Sequence, residues 1–545
     1  MTLVASAHTP AIAPDMFVLE ENQRLSDSML WRLQRNFYRE QTLDAWRQSI
    51  VPHYVTSNTF IAQAYAKVVF GYIRDMLRDD RQPHVPDEPV YVLELGAGSG
   101  RFSYHFLQSF FSMLRQSALR DVAVTFIMSD FSERNLEFWR EHPLLQTYVE
   151  QGFLDFALVD LSEYKEIVLL RSGKTLGVGQ LENPLIVLAN YVFDSIEQDA
   201  FYVGGGRLYE SLISLHSPVA EPDMNDTSLL TRVQSNFSMV SVQHDYYPEP
   251  ELNCILDFYQ QYLADSHFLM PAQAIRYLGH LRSISNNRLL LISGDKGYSR
   301  EDDLLYQVPP QIVHHGSISL MVNYHAIGQY VSGEGGVFLT TPHRHDSLHI
   351  CAALFDAIPV NQESSQFLET EQAFREAISQ IGPDDYYVLK CFIQSNAEHL
   401  SLEQLLAYMR VSAWDAANFW GCYDAFMQHA QNLDTAAKQE ISAMAKQVWD
   451  KYYPMGEERD LAYALGSLMY EIEFYPDAIV YLELSCRLYG ENAATSYNIA
   501  MCHHNMCQFA QALHYVQQAL LLDPAYEPAR IMQLTIPAQV RQIRK

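Results

Sequence analysis

The chain has 545 residues, with 65 acidic side chains against 37 basic ones and a net charge of −28. That balance argues against sequence-independent nucleic-acid binding, which runs on counterion release by Lys and Arg. No apolar run approaches the roughly 20 residues of a membrane-spanning helix. Seven scattered cysteines and no visible leader before Arg24, the first basic residue, lead us to expect a cytoplasmic protein.

Residues up to Pro14 read as disordered. Ser26 to Arg47 reads as a helix rich in aromatics and arginines, a packing helix rather than a substrate arm. Thr59 to Arg78 is a second amphipathic helix. Pro83, Pro86 and Pro89 then mark a linker, so residues 1–80 form a helical lead-in to a domain over 81–361. Val90 to Leu93 is a buried-type strand. It runs into ELGAGSGR, Glu94 to Arg101, and then into an amphipathic helix. Strand, glycine turn and helix in that order make a nucleotide-cofactor cradle. Glycines suit the turn because it needs positive φ and close backbone approach to a ligand. Arg101 stands where a dinucleotide fold would have its third glycine, and Glu94 suits a cationic ligand rather than a pyrophosphate.

Asp121 to Ser129 is a second strand, ending at Asp130, where a carboxylate would hold a ribose diol. Leu154 to Val159 is a third, ending at Asp160, placed to accept from an adenine amino group. Leu185 to Ala189 is a fourth, wholly apolar as a buried parallel strand should be, followed by Asn190, Tyr191 and Asp194. An insertion over about 195–285 begins with a hairpin, Ala200 to Val203 and Leu208 to Leu215 around Gly204–Gly206. It continues as a loop or lid over Ser217 to Asp245 and a helix over Leu252 to Ser283. Arg288 to Ser293 is a further strand. Gly336 to Thr340 and Leu348 to Leu354 form a last antiparallel pair.

Residues 362–545 hold no strands. Leu465-Gly466 recurs 34 residues later as Ile499-Ala500, Ala478 as Ala512, and Tyr481-Leu482 as Tyr515-Val516. A helix-turn-helix period of 34 with small residues at fixed positions resembles a tetratricopeptide repeat (TPR). Helical hairpins before Tyr453 and a cap after Ala525 complete the stack, which would take a protein or peptide partner. His343, His345, His349 and Asp346, and Cys502, His503, His504 and Cys507, lack converging ligand spacing, so no metal is expected.

The E-x-G-x-G-x-G turn resembles motif I of class I S-adenosylmethionine (SAM) methyltransferases. With three further segments, HYVTSN (His53–Asn58), ANYVFDSIEQDAF (Ala189–Phe201) and GSISLMVNYHAI (Gly316–Ile327), the chain resembles the MidA family of SAM-dependent methyltransferases over Val51 to Leu354. The mitochondrial members of that family act on an arginine. The resemblance implies a Rossmann-like α/β methyltransferase sheet, followed here by an all-α TPR-like domain. SAM would be held by Glu94 and the backbone of Gly96, Ala97, Gly98 and Gly100, with Asp130 on the ribose and Asp160 on the adenine. Asn190 would also contact it, and Thr56 and Ser57 would close over it. Asp194 would accept the acceptor's proton, with Tyr191 orienting. The family's glutamate stands as Tyr191 here, and its proline as Glu197. The expected function is methylation of a protein side chain, arginine or another nitrogen, recruited through the repeats. The alternatives are a small-molecule methyltransferase and a non-catalytic SAM-binding scaffold. The sequence sets no oligomeric state.

Overall fold

The computed structural model describes residues 4–5, 16–48, 50–221, 223–344, 347–357, 366–431 and 433–543. His345, Asp346 and the expected boundary at 361/362 lie outside them. So does the expected disorder before Pro14, apart from Val4–Ala5, whose backbone pairs with a strand of the second sheet described below. Two compact units emerge, Met1–Tyr387 and Val388–Lys545.

The first unit opens with β1 (Phe17–Gln23), α1 (Met29–Gln41), α2 (Asp44–Arg47), α3 (Tyr54–Ser57) and α4 (Thr59–Arg78). Ser28 caps α1 and Asn58 caps α4, each side-chain oxygen accepting from a first-turn amide. Then come β2 (Val90–Leu95), α5 (Arg101–Arg115), β3 (Val124–Asp130), α6 (Glu133–Glu141), α7 (Pro143–Glu150), β4 (Leu154–Leu158) and β5 (Leu185–Asn190). The insertion supplies β6 (Asp199–Gly204), β7 (Arg207–Ser217), β8 (Gln234–Ser241), α8 (Pro250–Tyr262), β9 (Asp265–Met270) and α9 (Ala272–Ile284). The chain returns through β10 (Leu289–Asp295), α10 (Tyr324–Gly333), β11 (Val337–Thr340) and β12 (His349–Phe355).

Seven strands form a mixed sheet in the order β11-β12-β10-β5-β2-β3-β4. The five from β10 to β4 are parallel; β12 runs antiparallel to β10, and β11 to β12. The first parallel strand, β2, has β3 on one side and β5 on the other. This reversal of strand order leaves a crevice at the carboxyl ends, where open α/β sheets bind ligands. Side chains of α8, α9 and α10 share one core with Leu93, Leu95, Leu185, Val187, Leu289 and Leu291.

The insertion departs from expectation. Ser217 to Asp245 is not simply a loop, because Gln234–Ser241 pairs with β7 along its length. Leu252 to Ser283 is not one helix but helix, strand, helix, with β9 pairing β6. These strands join β6, β7 and β1 in a second, antiparallel sheet. Leu30, Leu33 and Phe37 of α1 pack with its Ile213, Leu215 and Phe237.

The first unit runs past residue 361 because α11 (Leu368–Phe374) docks on α4. Asp75 accepts from the amides of Glu369 and Thr370 at 3.1 and 2.8 Å and from the Thr370 hydroxyl at 2.7 Å.

Helices α12 (Pro383–Ser395), α13 (Leu402–Val411), α14 (Ala416–His429) and α15 (Thr435–Lys451) come next. They are followed by α16 (Leu461–Glu471), α17 (Tyr475–Tyr489), α18 (Ala493–Asn505), α19 (Phe509–Leu522) and α20 (Glu527–Ile543). In the second unit, α16 and α17, and α18 and α19, are neighbours in sequence and in space. A β-carbon on Gly466 would lie 2.8 Å from Leu482 Cγ and 3.3 Å from the Ala478 carbonyl, so the small residue lets α16 and α17 close. Ala500 and Ala512 are fully buried at the corresponding place in the next pair.

Candidate functional site

A cleft of about 1050 Å³, counting its open mouth, lies over the carboxyl ends of β2, β3 and β5. Its floor is the predicted turn. Gly96, Gly98 and Gly100 have φ of +62°, +53° and +79°, a region that costs other residues energy and glycine very little. The turn is braced from below: Ala97 N–H donates to Ser129 O at 2.9 Å, and Trp139 Nε1 donates to Gly98 O at 3.1 Å. From above, a β-carbon on Gly98 would meet the Trp46 ring at 2.7 Å, and one on Gly96 would lie 3.1 Å from Val192 Cγ2. The roof comes from the N-terminal helices. Gln34, Arg35 and Tyr38 of α1, Trp46 of α2, and His53, Thr56 and Ser57 all line the cleft.

Glu94 is the penultimate residue of β2 and is buried. Desolvation pushes its carboxyl up to about 8; the Ser103 hydroxyl, which donates to it, opposes the rise and the Asp130 charge adds to it. Asp130, at the end of β3, accepts from Gly98 N–H at 3.0 Å and Ser132 N–H at 2.9 Å. Burial raises its carboxyl, while those amides oppose the rise. Ser57 and Thr56 turn their hydroxyls onto the His53 carbonyl at 2.7 and 3.2 Å.

Three side-chain amides lining the cleft each carry one buried polar atom without a partner: Gln34 Oε1, Asn135 Oδ1 and Asn190 Nδ2. Asn190 Oδ1 is already taken by Tyr65 OH at 2.7 Å. Buried groups normally find partners, so the cleft is built to receive a polar molecule. Beside these atoms stand the desolvated Glu94 and a turn that at Gly98 leaves no room for a side chain.

Most of the expected residues meet here. Thr56, Ser57, Glu94, Gly96, Ala97, Gly98, Asp130, Asn190 and Tyr191 all line the cleft, and Gly100 starts α5 at its edge. Asp160 lies apart. Although partly buried, its carboxylate is held below the usual range by the Ser162 amide and hydroxyl and by the charges of Arg35 and Arg39. Leu161 lines the cleft in its place.

Asp194 lies one layer behind the wall. Ser195, which lines the cleft, donates to its Oδ1 at 2.8 Å. Sequence reasoning missed its partner, Asp295, which ends β10 as Asp130 ends β3; the same strand-end rule would have found it. Burial pushes Asp194 up to about 6. Burial and then the Asp194 charge hold Asp295 far above the usual range. Tyr324 OH donates to Asp295 Oδ2 at 3.0 Å. Tyr191 has a left-handed backbone, φ +54°. Burial raises its hydroxyl strongly, and the Asp194 charge adds to this.

Among the described residues no three His, Cys, Asp or Glu gather as metal ligands, and no helix is long and apolar enough to cross a membrane.

No family model and no curated protein matches the sequence. Among solved structures, a superfamily member from Burkholderia thailandensis bound to S-adenosyl-homocysteine aligns at 11% identity and TM-score 0.36. The alignment covers 58% of this chain and 80% of that one. An O-methyltransferase family protein from the same organism aligns at 9% identity and TM-score 0.27, over 60% and 63%. YrrB, a TPR protein with an unusual peptide-binding site, aligns at 20% identity and TM-score 0.23, over 31% and 82%.

Proposed function

We propose that the protein is a SAM-dependent methyltransferase with a Rossmann-like class I cofactor site, and that the nucleophile is presented at the Tyr191–Ser195 edge of the cleft. The observation that carries this reading is the turn from Glu94 to Gly100. Three glycines at positive φ lie between a desolvated carboxylate on their own strand and a second carboxylate on the next.

Glu94 and the Gly96–Gly100 backbone would hold the methionine end, whose ammonium would favour an ionised Glu94. Asp130 would take the ribose hydroxyls as a further acceptor, and Asn190 Nδ2 is free to donate. Thr56 and Ser57 would close over the group. The apolar Phe131 and Leu161 suit the base. Bound SAM supplies an electrophilic methyl group, and the protein's task is chiefly to align a nucleophile with it. A neutral nucleophile sheds a proton on attack. The Ser195 hydroxyl faces the cleft and donates to Asp194, so it can pass that proton to a carboxylate titrating near 6. Tyr191 orients the incoming group.

The second unit, on this reading, recruits a protein whose side chain is modified, as paired helices in series present extended surfaces. Titration calorimetry with SAM, and label transfer from methyl-labelled SAM into lysate, test the proposal. Gly96→Val should abolish SAM binding in a folded protein. Unchanged affinity in that variant would sink the site, and SAM binding with no transfer to any acceptor would leave a scaffold.

A further inference from the structure

The outer side of α1 carries Arg32, Arg35 and Arg39, at i, i+3 and i+7 and so on one helix face. With Ser26, Ser28, Trp31 and Glu197 they line a shallow recess of about 570 Å³, counting its open side. The recess is continuous with the cleft along two walls. Arg35 lines both spaces, and Ser195 and Ile196 of the cleft wall lead directly into Glu197 of the recess.

Packing does not account for these arginines. Like charges three and four residues apart weaken a helix, and Arg32 and Arg39 are exposed. Arg35 is paired with Glu197. Among the described residues neither Arg32 nor Arg39 has an ion-pair partner, in a chain with 65 acidic side chains. The carboxylate that feels Arg32, Glu20, is already engaged by the Ser28 hydroxyl and the Met29 amide. Arg39 lies over the face of the Phe131 ring, at 5.8 Å, and Phe131 itself lines the cleft; the carboxylate that feels Arg39, Asp160, is already engaged by the Ser162 amide and hydroxyl and by the charge of Arg35. Two guanidinium groups held in no ion pair among the described residues thus stand at the mouth of a site in a strongly acidic protein.

We propose that this recess binds an anionic group, carboxylate or phosphate, of the methyl acceptor. Guanidinium forks match either group with paired hydrogen bonds. The inference rests on the methyltransferase reading and adds the acceptor's chemical class: the atom to be methylated is flanked by negative charge, on a small molecule or on an acidic stretch of peptide. It turns the expectation of a bare guanidinium acceptor around, since three arginines at the entrance repel one.

The test uses the full chain at low ionic strength, with S-adenosyl-homocysteine bound, and titrates phosphoserine and a hexaglutamate peptide separately. At least one should bind. Arg32→Gln with Arg39→Gln together should weaken that binding about tenfold or more. Arg120→Gln, which removes an exposed charge outside the recess, should leave it unchanged. Phosphoserine binding alone points to a phosphate, hexaglutamate alone to peptide carboxylates, and either supports the site. The proposal is overturned if neither probe binds, if the double variant binds as well as the parent, or if Arg120→Gln weakens binding as much. S-adenosyl-homocysteine affinity is read in the same titrations, so that any change at the cofactor is separated from the change in anion binding. Absence of that affinity in the parent protein would remove the methyltransferase reading, independently of the anion result.

Discussion

Glu94 couples the cofactor site to stability through one proton. Its carboxyl titrates near 8 when folded, against an ordinary 4.5. Between those values the folded chain keeps a proton that the unfolded chain has lost, so stability falls as pH rises through that window. Glu94→Gln should remove this part of the slope, giving a flatter melting temperature from pH 5 to 8; an unaltered slope would mean that Glu94 ionises freely. Asp130→Ala should weaken SAM binding by about 1–3 kcal/mol, the range of a lost charge-assisted hydrogen bond, as calorimetry would show. The carboxyl pair makes a sharper distinction. It is Asp194 that accepts from the cleft-lining Ser195 hydroxyl, so Asp295→Asn should retain SAM binding and methyl transfer. Asp194→Asn should keep the first and lose the second, and equal loss in both would reverse the assignment. Glu94 and Asp130 were legible in the sequence because each follows from a local rule, a carboxylate at the end of an apolar strand beside a glycine turn. The pairing of Asp194 with Asp295 was not, because it depends on β10 lying next to β5. Nor was the diversion of Asp160, which depends on Ser162 and on arginines from α1.

At the scale of elements, the parallel strands and α4 were readable because their apolar patterns are long and unbroken. The second sheet was not. β8 is mostly polar and β9 is a short run between two helices, and both become strands by pairing with β7 and β6, which no local pattern encodes. The α4–α11 junction is the clearest tertiary device. Asp75→Ala leaves two amides and a hydroxyl of α11 without their acceptor. It should cost about 1–3 kcal/mol by urea denaturation, with SAM affinity unchanged in the folded fraction. Gly466→Val should strain the α16–α17 contact, where Leu482 leaves no room, by about 1–3 kcal/mol.

For the molecule as a whole, division into Met1–Tyr387 and Val388–Lys545 implies that every residue of the cleft belongs to one unit. A truncated chain ending at Tyr387 should therefore fold and bind SAM as the full chain does. One ending at residue 361 lacks α11 and should be less stable. Loss of SAM binding in a folded chain of 387 residues would place part of the cofactor site in the helical unit. Of the six tryptophans, two hold the same glycine from opposite sides. Trp46 covers the position where Gly98 would carry a side chain, and Trp139 grips the Gly98 carbonyl from the core. The protein thereby carries its own optical gauge. A guest settling on the turn must change the surroundings of the first indole while the second stays sealed, so occupancy should be visible as a shift in emission colour, without any attached dye.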